Sequence, residues 1–257
     1  MSATPKKALG QHFLADENIL GVIGRLADLR PDDVVLEVGP GLGVLTRYLA
    51  ERVQLVHAVE IDRTLEDALS AALASIENVD LIFGDALRVD LAALEPAPGK
   101  FVANLPYNVA TPLVVETLEK VLSIGHWCVM VQRELAERFF AAPRTKAYGA
   151  VSVLVQLQAR RLGTHPVAAT VFRPPPRVES MLVAFERSGD VPISDVRRLV
   201  EAAFAHRRKT MANSVALTGL ASREGVEKAL VAVDRSPGAR AEELEPQDFV
   251  DLARVLA

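Results

Sequence analysis

Val34-Val35-Leu36-Glu37-Val38 is apolar except for one acid, and it runs directly into Gly39-Pro40-Gly41-Leu42-Gly43. The run reads as a buried strand. Glycines let the backbone turn sharply and let a ligand approach the main chain closely. Leu45 to Arg52 then reads as a helix. The same alternation continues. Leu55–Val59 is a second strand and Arg63 to Ser75 a second helix, Val79–Phe83 a third strand, and Phe101–Ala103 a fourth. Leu113 to Leu122 is a further helix and His126 to Val131 a fifth strand. Strands alternating with helices predict an α/β fold, with a parallel sheet covered by helices on both faces.

After Gln132 the pattern changes. Arg133 to Ala141 looks helical. Gly149 to Gln158 is apolar and β-branched, and periodicity does not separate helix from strand there; a helix is preferred. A strand is expected from about Arg160 to Val167, and Val178 to Phe185 alternates as another, with Pro174-Pro175-Pro176 between them. Ser188-Gly189-Asp190 marks a domain boundary. Beyond it Val196, Leu199, Val200, Ala203 and Phe204 follow helical spacing. Pro246 suits the first turn of a last helix, Gln247 to Leu256. Residues 1–188 are therefore expected to form one domain and residues 189–257 a small helical one.

Apolar residues make up 50% of the 257, enough for a sizeable core. No apolar run of about 18 residues predicts a membrane span. Met1-Ser2-Ala3-Thr4-Pro5-Lys6-Lys7 lacks an apolar signal core. The single cysteine, Cys128, lies in an apolar run and reads as a buried thiol, which suits a reducing, cytoplasmic setting. The net charge of −4 argues against a nucleic-acid partner until its distribution is considered. Residues 131–210 carry 14 Lys/Arg against 7 Asp/Glu, whereas the remainder carries 15 against 26. A basic middle segment in an acidic chain can form a phosphate-binding face. Arg160, Arg161, Arg207, Arg208 and Lys209 are its best candidates.

The ends of the strands carry the chemistry, and ligands of such sheets bind at the carboxyl edge. The glycine loop places Val44 where a dinucleotide fingerprint needs its third glycine, which favours S-adenosylmethionine over a nicotinamide cofactor. Glu60 ends the second strand, where a carboxylate can accept hydrogen bonds from both ribose hydroxyls; Asp62 is its competitor. Asp85, after Gly84, can hold an adenine amine. The fourth strand ends in Asn104-Leu105-Pro106-Tyr107. Asn offers an oxygen that accepts from an amine, Pro fixes its own φ and has no N–H, and Tyr presents a flat face. Together they form a cradle for the exocyclic amine of a flat base.

Seven segments in order resemble the KsgA-type (RsmA) 16S ribosomal RNA adenine N6,N6-dimethyltransferase family. They are Gly10-Gln11-His12-Phe13-Leu14, the glycine loop, Val59-Glu60-Ile61-Asp62, Gly84-Asp85-Ala86, Asn104-Leu105-Pro106-Tyr107-Asn108, Lys146-Ala147-Tyr148-Gly149 with Val171 to Ser180, and Phe204 to Thr210. The resemblance implies a Rossmann-like class I methyltransferase sheet with a small C-terminal helical domain. It implies S-adenosyl-L-methionine held by His12, Leu14, Gly39, Gly41, Glu60, Ile61, Asp85, Ala86 and Asn104, and no metal. It implies that Asn104 and Leu105 orient the target amine with Pro106, that Tyr107 and Phe172 close on the two faces of the flipped adenine, and that the helical tail docks on rRNA. The implied partner is 16S rRNA within the small ribosomal subunit, and the protein is expected to act as a monomer. The family commonly has Asn where this chain has His12; a backbone contact would survive that change and a side-chain amide contact would not. The competing expectations are an erythromycin-resistance-type 23S rRNA methyltransferase and a non-catalytic nucleic-acid-binding factor of the same fold. The intact Glu60, Asp85 and Asn104 argue against the latter.

Overall fold

The computed structural model describes residues 11–16 and 18–256; Gly10 and the Met1–Lys7 stretch lie outside the described residues. The chain divides into two compact units. In the first, β1 (Phe13–Leu14) precedes α1 (Asn18–Leu26), β2 (Val34–Val38), α2 (Val44–Ala50) and β3 (Leu55–Glu60). Then come α3 (Glu66–Leu73), β4 (Val79–Phe83), β5 (Lys100–Asn104), α4 (Ala110–Lys120) and β6 (His126–Gln132), and α5 (Arg133–Phe139) begins in this unit and ends in the second. The expected helix from Arg63 begins instead as a 3-10 turn, Arg63–Leu65, capped by Asp62. Helix α4 starts three residues earlier than its apolar spacing suggested, because Pro112 is tolerated in a first turn.

The central sheet has the order β4-β3-β2-β5-β6-β9-β7, where β7 is Ala159–Val167 and β9 is Ser180–Arg187. Strands β2 to β6 pair in parallel as predicted. Strand β9 runs antiparallel to β6, contrary to a purely parallel sheet. Strand β9 follows β7 with no α-helix between them, so it lies outside the strand–helix–strand alternation that makes β2 to β6 parallel. The short strand β8 (Phe172–Arg173) lies in that connection and pairs antiparallel with β1. Buried β-branched and aliphatic residues fill the strands, and Trp127 of β6 stacks on its β9 partner Phe185 at 5.3 Å. The order reverses between β2 and β5, the point at which open α/β sheets bind ligands.

The second unit comprises residues 137–160 and those from 188 onward. Its helices are α6 (Ala150–Gln158), α7 (Ile193–Phe204), α8 (Met211–Leu217), α9 (Arg223–Ala232) and α10 (Pro246–Leu256). The ambiguous run is thus helical, and it packs on α7 and α10. The sequence reading had assigned residues 137–160 to the first domain. A helix as apolar as α6 needs cover on most of its surface, which the tail helices supply. Tyr148, Phe204 and Phe249 form the aromatic centre, with ring centroids 5.9 and 5.8 Å apart. The Tyr148 hydroxyl donates to the Leu244 carbonyl at 2.8 Å, so the buried phenol is satisfied. Among the described residues no helix is long and apolar enough to cross a membrane.

Arg187 closes the C-terminal end of α4. Its guanidinium donates to the carbonyls of Ile124 (3.0 Å), Leu118 (3.1 Å) and Val121 (3.4 Å), and it lies 5.1 Å over the Trp127 ring. A cation on orphan carbonyls at a helix C-terminus is favourable in both charge and hydrogen bonding. Arg187→Met keeps much of the packing but removes the donors, and is expected to cost about 2–3 kcal/mol. Chemical denaturation of the two proteins checks this; equal midpoints would show that water replaces the cap.

Candidate active site

The carboxyl ends of β2, β3, β4 and β5 surround one cavity. Twelve of the sequence candidates line it: His12, Leu14, Gly39, Gly41, Glu60, Ile61, Asp85, Ala86, Asn104, Leu105, Pro106 and Tyr107. Phe172 does not, and is reached through His12.

Glu60 is 4% exposed and bridges two strand ends. One carboxylate oxygen accepts from the Gly41 N–H at 3.1 Å, and the other from the Asp62 N–H at 2.8 Å. Burial raises its pKa, and these N–H bonds oppose that. Each oxygen keeps a further lone pair. The loop can deliver the Gly41 N–H because residue 41 has φ +60° and a Cβ there would sit 2.9 Å from the Phe13 ring. Only glycine combines that conformation with that clearance.

Asp62 is committed elsewhere. One oxygen accepts from the Thr64 N–H (3.1 Å) and hydroxyl (2.6 Å), the other from the Gln11 amide (2.9 Å). It caps the following turn and ties the chain before β1, and does not line the cavity. Asp85 likewise caps its turn, accepting from the Leu87 N–H at 3.0 Å, but it stays at the cavity wall.

Glu37 was noted only as the acid before the loop, and the structure gives it more weight. It lines the cavity and is 1% exposed. Neither its Oε2 nor the neighbouring Thr46 hydroxyl has a hydrogen-bond partner. Burial pushes its carboxyl up to about 8; the nearby Thr46 hydroxyl lowers it and the Glu60 charge raises it further. A buried carboxyl oxygen without a partner at a cavity wall is costly unless a donor or cation reaches it.

At the end of β5 the Asn104 amide nitrogen donates to the His12 carbonyl at 3.1 Å. That bond fixes which end of the amide is which, and leaves Oδ1 as the acceptor. The His12 backbone carbonyl is thereby engaged by Asn104, a contact that does not depend on the side chain at position 12. The Leu105 N–H is tied to the Met130 carbonyl at 3.0 Å. The Tyr107 hydroxyl shares a 2.6 Å bond with Ser180, and burial raises its pKa. The His12 ring stacks on Tyr107 at 5.6 Å and meets Phe172 edge-on at 6.5 Å. Phe172 is only 1% exposed.

The basic candidates differ among themselves. Arg208 and Lys209, after α7, are exposed, as are Arg160 and Arg161 on β7. Arg207 is engaged: its guanidinium donates to the carbonyls of Lys146 (3.1 Å) and Tyr148 (2.8 Å) and lies 3.7 Å from Glu242. Burial pushes the Cys128 thiol up to about 12, so it is inert. Sequence reasoning missed Phe13, Leu87 and Ser180. Leu87 is 40% exposed and lines the cavity with Ile61, 52% exposed; an apolar residue two places after a strand-end acid was its only signal.

Comparison with known proteins is consistent along the whole chain. A family model described as ribosomal RNA adenine dimethylase matches residues 3–257. A ribosomal RNA small subunit methyltransferase A from Rubrobacter xylanophilus is 50% identical over 252 residues, covering 97% of this chain and 94% of that protein. One of the same name from Alkaliphilus metalliredigens is 40% identical, covering 98% and 91%. Among solved structures, a dimethyladenosine transferase from Plasmodium falciparum shares the fold, with TM-score 0.77, 23% identity and coverage of 94% and 96%. The 23S rRNA methyltransferase ErmE matches with TM-score 0.65, 28% identity and coverage of 95% and 99%.

The Glu37 environment has a consequence for stability. With a folded pKa raised to about 8, the native state holds a proton that the unfolded chain has lost above its ordinary carboxyl range. Stability is then fullest below about pH 4.5 as far as this group is concerned, and falls as pH rises towards 8. Glu37→Gln removes this fall. At pH 8, without added cofactor, it should be more stable than the parent by about 1–3 kcal/mol. Thermal unfolding of both proteins between pH 5 and pH 8 checks the expectation.

Proposed function

The chain belongs to the ribosomal RNA adenine dimethylase family, and on that premise we propose that it dimethylates N6 of two adjacent adenosines in a 3′-terminal hairpin loop of small-subunit (16S) rRNA. Membership of a methyltransferase family implies S-adenosylmethionine as methyl donor, and the cavity fits it. Glu37 offers a buried carboxyl oxygen, Oε2, without a hydrogen-bond partner to a cationic ligand. Glu60 retains lone pairs for a diol, and the exposed side chains of Ile61 and Leu87 offer apolar cover to a purine ring. In this reading Gly39, Gly41, Leu14 and Ala86 form its walls, and Asp85 takes the adenine amine.

The observation that carries the reading is the Asn104 amide, whose nitrogen is committed to His12 O and whose Oδ1 remains an acceptor at the cavity. The N6 amine is a poor nucleophile because its lone pair is delocalised into the ring. Asn104 Oδ1 and the Leu105 carbonyl accept from its hydrogens and aim that lone pair into the cavity, while Pro106 shapes the turn. This is catalysis by positioning and electrostatics. The bound donor supplies a sulfonium methyl group, so these side chains need not form a covalent intermediate. Tyr107 stacks on the flipped base, worth about 1–3 kcal/mol, and Ser180 holds its ring in place. Flipping costs least for an unpaired base, which suits a loop.

The helical unit serves as the rRNA-docking domain, with Arg208 and Lys209 on phosphates, while Arg207 braces the 146–148 turn instead; Arg160 and Arg161, on β7, are separate candidates for phosphate contact. In this reading the protein works as a monomer on 16S rRNA within the small ribosomal subunit, in the cytoplasm. The named relatives at 40–50% identity favour this over the large-subunit reading suggested by the ErmE likeness.

Labelled cofactor and undermethylated small subunits, followed by RNA digestion, test the proposal. Dimethyladenosine in small-subunit rRNA is the expected product; its absence sinks the claim, and label only in large-subunit RNA supports the alternative. Asn104→Ala should bind cofactor nearly as the parent does, yet lose turnover by about 100-fold or more. Undiminished turnover in a folded variant would remove Asn104 from the mechanism.

A further inference from the structure

Tyr107 and Phe172 are the two rings expected to close on the target base, and one side chain already touches both. The His12 imidazole lies on the Tyr107 ring, 5.6 Å between centroids and 30° between planes, and meets Phe172 edge-on at 6.5 Å. A five-membered aromatic ring in that place occupies space a flat base needs. Its anchor is slight. Nδ1 faces the Pro174 carbonyl at 2.8 Å, which can only accept, so Nδ1 carries the hydrogen and donates it. The side chain is only half-buried. Its backbone is held independently, because the His12 carbonyl receives the Asn104 amide. The ring can therefore swing out by breaking one hydrogen bond and one stack while Asn104 keeps its orientation.

Resting on the reading of Asn104 and Tyr107 as a base slot, we propose that the His12 side chain is a gate to that slot, one that an incoming base must displace from Tyr107. The displacement costs the same for every base, so it weakens binding uniformly, and only a base whose stacking on Tyr107 outweighs the lost imidazole stack and hydrogen bond is retained. Discrimination among bases stays with Asn104 and Leu105, which read the exocyclic amine. The carboxamide that the family commonly carries at this position has no ring to compete for the Tyr107 face.

The test compares the parent with His12→Ala, His12→Asn and Tyr107→Ala on undermethylated small subunits. A synthetic hairpin RNA with 2-aminopurine at the target positions reports stacking directly by its fluorescence. Removing the gate returns about one hydrogen bond and one stack, so both His12 variants should show a KM for the particle about fivefold lower. They should also quench 2-aminopurine at correspondingly lower protein concentration. A residue that only supports the fold would lower thermal stability and kcat instead. Unchanged or higher KM and weaker quenching in both His12 variants would overturn the gate, the latter by making the ring a wall that supports the base. Tyr107→Ala separates the two levels. If it leaves KM, turnover and quenching untouched, the base slot itself is misplaced; if it impairs them while the His12 variants gain nothing, only the gate fails.

Discussion

The Glu60 carboxylate holds the site open. It is buried, which is unfavourable for a charge, and it is satisfied by two backbone N–H groups from two different strand ends. One comes from the glycine loop after β2, the other from the turn after β3. The carboxylate thus acts as a clasp between neighbouring strands at the sheet's ligand edge. Its demands propagate outward. Residue 41 must offer its N–H with a positive φ and no side chain, since Phe13 packs where a Cβ would stand. Asp62 must turn its own N–H inward, which leaves its side chain to cap the next turn and hold Gln11. The segment before β1 is thereby tethered to the β3 end, and His12 follows directly on Gln11.

The same clasp sets the charge of the cavity. Glu37 lies close enough for the Glu60 charge to oppose its ionisation, and its Oε2 has no hydrogen-bond partner. Two buried carboxyls side by side repel one another when both are ionised, and a positively charged ligand relieves both at once. A ligand of the same shape without the charge forgoes that relief. The cavity therefore favours a positively charged ligand over a neutral one of the same shape, by electrostatics that operate at short range in a poorly solvated place.

Much of this was legible in the residues because it depends on local pattern. Val34–Val38, the glycine loop and Asn104-Leu105-Pro106-Tyr107 each announce a strand end through composition alone, and parallel pairing follows from the alternation. What was not legible depends on long-range packing. Gly149–Gln158 is apolar throughout, so nothing in its periodicity says whether sheet or helices cover it; its cover is α7 and α10. Arg207 looks like its neighbours Arg208 and Lys209 in sequence, yet carbonyls some sixty residues earlier hold its guanidinium. Residue type identified Glu37 as an acid before a glycine loop, but only burial reveals that it lacks a partner.

The reversal of β9 explains how distant segments reach the Asn104 side of the cavity. In a parallel strand the first residue lies at the far edge of the sheet, away from the ligand. Because β9 is antiparallel to β6, its first residue, Ser180, pairs with Gln132 at the last position of β6, on the carboxyl edge. The segment leading into it, with Phe172 and Pro174, is delivered to the same edge. Ser180 can then hold the Tyr107 hydroxyl, and Pro174 can hold the His12 ring. Strand β8 pairs with β1 and fixes this arrangement, with Phe13 opposite Arg173 and Leu14 opposite Phe172. The glycine-loop side of the cavity is thus built by consecutive parallel strand ends, which short motifs encode. The Asn104 side is built where one antiparallel strand brings residues 172–180 against residues 12–14 and 104–107, a meeting that only the sheet's topology determines.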